Sequence, residues 1–172
     1  MGCGMTNGRL WYPQLDVFDC IRRLGALLKS FGDPPGVERL FIADFYLANP
    51  PLLHRTKMSQ STRKAFNDLS VPRPEKTFLS YPAAPLLFHK MEPIQKEALR
   101  AMAGKGLISM EEVHLGVAEL TDRGYAAFEI TQGKYLTQTE VVLVNFLTKD
   151  FAVSVEAGSG ELRRSTGLRR VR

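Results

Sequence analysis

Asp44 lies inside "RLFIADFYLANPP", where nearly every neighbour is apolar. A carboxyl group in apolar surroundings suits general acid or base chemistry, because desolvation moves its proton affinity toward neutrality. A catalytic site would add a nucleophile, a base or a second carboxylate, and the sequence spaces none beside it. Asp44 is therefore expected to reach a helix rim or to pair with an arginine of the preceding helix, Arg22 or Arg23, since an isolated buried charge is costly. His89, beside Lys90 and Glu92, reads similarly as a packing or interface residue and not as a general base. His54, His89 and His114 stand far apart, and with Cys3 and Cys20 they make neither a paired metal-ligand spacing nor a disulfide framework. The glycines of "GMTNGRL" and "GSGEL" neither follow a strand nor open a helix with the lysine or third glycine of a phosphate-binding loop. The expectation is a non-enzyme without cofactor, metal or small-molecule ligand.

The other chemistry within reach is contact with phosphates. The net charge is +5, and the last twelve residues, "ELRRSTGLRRVR", hold five arginines against one glutamate. They supply +4, which leaves 18 basic and 17 acidic side chains in the other 160 residues. Arg163, Arg164, Arg169 and Arg170 are thus candidates for a weak, salt-sensitive contact with nucleic acid, and the alternative is a solvated tail.

The elements that position these residues follow from apolar spacing. "LDVFDCIRRLGALLKSFG" places Val17, Ile21, Leu24, Leu27 or Leu28 and Phe31 three and four apart, with Asp16 at its start and Gly32 past its end. "PPGVERLFIADFYLANPP" is apolar nearly all round, which marks a helix central to a core, and Asn49-Pro50-Pro51 ends it. "SQSTRKAFNDL" makes a third, short helix capped by Ser59 or Ser61. Pro72, Pro74, Pro82, Pro85 and Pro93 break up the next stretch, whose Phe78, Leu79, Tyr81, Leu86, Leu87 and Phe88 suggest a segment pinned to something. Pro93 is expected to open the helix "PIQKEALRAMAGKG". In "GLISMEEVHLGVAELTDRGYAAF", residues 106–128, Val113, Leu115 and Val117 alternate with His114, Gly116 and Ala118 as a half-buried strand does, and Thr121 suits the cap of a following helix. A last helix begins at Thr137 or Thr139 and presents Val141, Val142, Val144, Phe146 and Leu147.

The sequence thus predicts a mainly α fold with a small β-wing, a winged-helix-like α+β domain with additional helices. Its organisation is expected to be a flexible N-terminus over 1–10, one domain over 11–157 and a disordered basic tail over 158–172. "MGCGMT" fits a myristoylation pattern at Gly2, but a flexible N-terminus is the plainer reading. The longest apolar runs fall short of the roughly 20 residues that cross a bilayer, so no membrane contact and a cytoplasmic location are expected.

A winged helix commonly lays the helix before its wing into the major groove. Here Gln95, Lys96 and Arg100 would be available, and a free-standing transcription regulator is the alternative this pattern supports. Glu111 and Glu112 at the wing tip would be repelled by phosphates, and about two dozen residues separate the preceding helix. The wing is better suited to a protein surface. Candidate protein contacts are Phe78, Tyr81, Leu86, Leu87, Phe88, Glu111 and Glu112.

"RLFIADFYLANPPLLHRTKM", "VPRPEKTFLSYPAAPLLFHKMEPIQKEAL" and "GKGLI" through "LTDRG" resemble the small middle-component subunit of bacterial ABC-three-component systems, the group that includes the third subunit of Lamassu-type antiphage defence. The resemblance covers roughly residues 11 to 150 and leaves out the basic tail. It implies a non-catalytic adaptor joining an ABC ATPase of the SMC or Rad50-like kind to an effector, commonly a nuclease, with DNA engaged through the complex. It carries no catalytic residues over to this chain.

Overall fold

The computed structural model describes residues 12–77, 81–131, 135–151 and 159–168. Phe78, Arg169 and Arg170 lie outside them. The Asp16 side chain accepts a hydrogen bond from the Asp19 amide at 2.9 Å and starts α1, Val17–Ser30, whose Leu24, Leu27 and Leu28 are buried. In α2, Val37–Ala48, every residue from Leu40 to Leu47 is buried, as an all-round apolar helix requires. A 3-10 turn at Pro50–Arg55 follows, then α3, Gln60–Asp68, capped by Ser59.

The helix expected to begin at Pro93 begins nine residues earlier: α4 runs over Ala84–Gly104 with Pro85 in its first turn and Pro93 inside it. An interior proline removes one backbone hydrogen bond, here the one that the His89 carbonyl would accept. His89 and Pro93 are both exposed, so the gap lies on the side of the helix that water reaches. Part of the proline-rich stretch is thus regular helix.

The β-wing does not form. Ser109 caps a short helix α5, Met110–His114, with Glu111 and Glu112 in its first turn, where carboxylates are favoured. Gly116 takes a positive φ of 82° and turns the chain out of it. Leu115, placed on the buried face by the alternating pattern, is 76% exposed, whereas Ala118 is fully buried. Among the described residues the β pairing amounts to two isolated antiparallel bridges, Gly36 with Val117 and Ile108 with Leu120. The winged-helix reading is therefore replaced by a helical one, because local capping outweighs a short alternation that either structure can carry.

Thr121 caps α6, Asp122–Thr131, accepting from the Gly124 amide at 3.1 Å and donating to the Gly106 carbonyl at 2.6 Å. A capping box formed by Thr137 and Glu140 opens α7, Gln138–Asn145, which continues into a π-helical turn at Phe146–Asp150. The tail also departs from expectation: α8, Ser159–Thr166, packs on α2, with Leu162 and Leu168 buried and the Tyr46 hydroxyl donating to the Thr166 carbonyl at 3.3 Å.

In three dimensions α2 is the central rod. α1 and α4 pack on it and on each other, α7 and α8 also touch it, and α6 lies along α1. Phe45 meets Tyr46 and Phe88 edge-on at 5.1 and 5.4 Å between ring centroids. Gly25 lets α6 come close: a Cβ there would stand 2.0 Å from Phe128 Cε1.

Candidate protein-interaction surface

Asp44 finds its partner on α1. Arg23 donates through Nε to Asp44 Oδ1 at 2.6 Å and through Nη2 to Oδ2 at 3.3 Å, while Nη1 reaches Asp19 and the Pro13 carbonyl. From α4, Gln95 Nε2 donates to Asp44 Oδ2 and to the Phe41 carbonyl, both at 2.9 Å. Its Oε1 is buried with no partner among the described residues, since the amide nitrogen is committed to two acceptors. The Cys20 thiol lies 3.7 Å from Asp44 Oδ2. All four side chains are buried. Burial by itself would lower the Arg23 pKa, but the charge and hydrogen bonds of Asp44, with Asp19 beside it, together outweigh burial and the guanidinium stays ionised. Burial, then the Asp44 charge, pushes the Cys20 thiol far up, so it stays protonated. This centre ties α1, α2 and α4 together; its carboxylate is saturated and shielded from solvent, which is the opposite of a poised base.

The residues expected to meet partners are scattered. Leu87 and Phe88 are core: on the longer α4 they fall in register with Met91, Gln95 and Ala98, and Phe88 lies between Phe45 and the Arg163 guanidinium, 5.6 Å from its ring. Tyr81 is half-buried and Leu86 exposed. Glu111 is exposed and Glu112 half-buried on α5, far from Leu86 in the chain. Of the phosphate candidates, Lys96 pairs with Glu92 at 2.9 Å, Arg100 is exposed, and Arg163 pairs with Glu38. Arg163 thus serves the packing of α8, while Arg164 is exposed. His54 is structural, with Nε2 2.8 Å from the Val71 carbonyl and its ring against Phe66. Among the described residues, no three His, Cys, Asp or Glu side chains are grouped as metal ligands, and no helix is long and apolar enough to cross a membrane.

The surface that the geometry does assemble lies where α1, α6 and the start of α7 meet. Phe18 is 82% exposed and Tyr135 58% exposed, and between them Ile21 and Phe128 line a groove of about 440 Å³ rimmed by Asp16, Asp19 and Arg22. Arg22 locks its wall: it donates to the Tyr135 carbonyl at 2.8 Å and to both Glu140 oxygens at 2.8 and 3.1 Å. Apolar spacing along the chain does not mark this groove. Its one available signal was Phe18, an aromatic residue outside the stripe formed by Val17, Ile21, Leu24 and Leu28.

The same clamp makes the groove acid-sensitive. Burial alone would raise the Glu140 carboxyl, but Arg22 and the Thr137 amide hold it below the ordinary glutamate value of 4.5. A depressed folded pKa stabilises above the unfolded pKa, and that contribution is lost as pH falls through the folded value. Urea unfolding followed below pH 4.5 should therefore lose less stability in Glu140→Gln than in the wild type. Parallel acid losses in the two proteins would show that the clamp does not contribute.

The described residues thus form a mainly helical body with a sealed polar centre and an open aromatic groove. The chain belongs to the ABC-three component (ABC-3C) system Middle Component 5 family, whose model matches residues 9–172. The match runs through the arginine-rich C-terminus, which the resemblance had left out, in keeping with the packing of α8 on α2. Membership makes the chain a component of a multi-subunit system and implies partner subunits. Comparison with curated proteins and with solved structures found no match.

Proposed function

We propose that the chain is a non-catalytic adaptor that links an SMC- or Rad50-like ABC ATPase to an effector nuclease of the same system, in the manner of the Lamassu-type systems its sequence resembles. The observation that carries this reading is the Phe18–Tyr135 groove. It places two large exposed aromatic side chains on a wall fixed by Arg22. Aromatic anchors set in an apolar recess and ringed by charges are the usual energetic centre of a protein–protein interface. The buried pairing of Asp44 supports the non-catalytic part of the reading, since the one suspicious carboxylate is taken up in holding three helices together. A free-standing winged-helix regulator is less favoured, because residues 110–114 form a helix where that reading needs a wing.

The test is co-expression with the ATPase and effector encoded beside this chain, read by size-exclusion chromatography and by titration of the purified partners. Wild type should co-elute with both. Phe18→Asp should weaken binding to at least one of them about 30-fold, the size of a lost interface anchor. Migration of the wild-type chain as an independent monomer in the presence of both partners would overturn the adaptor reading.

A further inference from the structure

The near-neutral body conceals a strong separation of charge. Residues 50–77 carry Arg55, Lys57, Arg63, Lys64, Arg73 and Lys76 against Asp68 and Glu75, a net of +4. Residues 106–131 carry Glu111, Glu112, Glu119, Asp122 and Glu129 against Arg123, a net of −4. The two groups sit at opposite ends of α2. The acidic segment is fastened at its N-terminal end, where the Val37 amide donates to the Gly116 carbonyl and the Ala118 amide to the Pro35 carbonyl, each at 2.9 Å. The cationic segment begins at its C-terminal end with Pro50. Twelve helical residues separate the two ends by roughly 18 Å, well beyond a Debye length of about 10 Å at 0.1 M salt. In solution the two fields therefore do not cancel.

The cationic end has the composition of a phosphate-binding face. Lys57, Lys64, Arg73 and Lys76 are exposed, and among the described residues none has a carboxylate within 4.0 Å; Arg55 is paired only loosely, with Glu75 at 3.6 Å. Arg63 is held in place by the Thr56 carbonyl and by the Phe66 ring, 5.8 Å below its guanidinium. Along α3 a shallow groove of about 530 Å³ is lined by Gln60, Ser61, Arg63, Lys64 and Asn67, so amide and hydroxyl donors stand beside the cations. The Lys57 amide donates to the Ser165 carbonyl at 3.2 Å, which brings the exposed Arg164 of α8 to the edge of the same face. Among the described residues, the large exposed apolar side chains all lie outside 50–77. Protein interfaces are centred on such apolar anchors, whereas nucleic-acid interfaces are polar and positively charged.

We propose that this face, built by α3 and the flanking 3-10 turns, binds the phosphate backbone of a DNA duplex without reading its sequence. The acidic end is then turned away from the duplex by charge. Neither Lys96 nor Arg100 on α4 takes part.

The test is fluorescence anisotropy of the full chain with a labelled 20-base-pair duplex of arbitrary sequence. Four phosphate contacts give a slope of log affinity against log salt of roughly −3.6, or about 100-fold weaker binding at 200 mM than at 50 mM salt. Lys57→Glu/Lys64→Glu/Lys76→Glu should weaken binding at 50 mM salt by more than about tenfold and flatten the slope to roughly −1. The charge-matched control Lys96→Glu/Arg100→Glu/Lys105→Glu should stay within about threefold of wild type, since α4 leads away from the face after Met91, which touches Asn49, and Gln95 already lies against Phe41. All six side chains are exposed, and circular dichroism checks that each variant keeps its fold. Unchanged binding in the first variant, or equal losses in both, would overturn the proposal. So would displacement of the duplex by polyglutamate at equal charge concentration, which would identify an acidic protein surface as the ligand.

Discussion

Asp44→Ala is expected to destabilise the chain by about 3–5 kcal/mol, because it leaves the buried Arg23 guanidinium without its principal counter-ion. Asp19 alone remains to meet that charge, and Gln95 loses one of its two acceptors. The loss is a fifth or more of the roughly 5–15 kcal/mol that holds an ordinary domain folded. It should appear in urea unfolding as a much lower midpoint. An ion pair this deep gains little over apolar residues of matching size, so Arg23→Met/Asp44→Leu should recover most of what Asp44→Ala loses. A midpoint for Asp44→Ala equivalent to a loss under about 1 kcal/mol would contradict the saturated geometry. The double variant is also informative about function. If it folds and still assembles with its partners, the polar centre serves the fold alone; if it folds and fails to assemble, the centre shapes the groove that α1 carries.

The second large effect concerns Gly124, in the first turn of α6. A Cβ on Gly124 would stand 2.0 Å from the Leu107 carbonyl oxygen, an atom of the backbone that cannot rotate aside, and 3.0 Å from Leu120 Cδ2. That carbonyl already accepts from the Thr121 amide at 3.0 Å, so the turn and the helix start are fixed to each other. Gly124→Ala should cost about 3 kcal/mol, the upper end of ordinary overpacking, and lower the melting temperature by roughly 6–12 °C. Gly32→Ala, with open space around its Cβ, should stay within about 0.5 kcal/mol of wild type. Because α6 carries Phe128, the shift also reaches the groove, and partner binding should fall with stability. A Gly124→Ala protein as stable as Gly32→Ala would mean that α6 moves freely over the turn.

The parts of this fold that could be read in advance are those whose local and tertiary signals agree. Asp16 caps α1 and its apolar stripe faces the core; α2 is apolar all round and buried all round; and Asp44 pairs with one of the two arginines named for it. The misreadings arise where those signals diverge. Pro93 is a helix breaker by local chemistry, yet it is tolerated on an exposed face of α4. Residues 113–118 alternate as a strand does, but Ser109 and Gly116 close a helical turn first. Leu162 and Leu168 show no periodicity, and they are buried because α2 offers them a surface that the local sequence does not contain. The groove escaped notice for a related reason: Phe18, Phe128 and Tyr135 are far apart in the chain, and Gly25 and Arg22 bring them together. The separated charges escaped because a sum over the body cancels +4 against −4.

The Cys20 thiol gives the chain an internal clock. It is fully enclosed between α1 and α2, and burial beside Asp44 keeps it in the unreactive protonated form. An alkylating reagent can reach it only in the moments when α1 parts from the rod. The rate of its modification therefore counts those openings, and a subunit seated on α1 would slow the count without touching the sulfur.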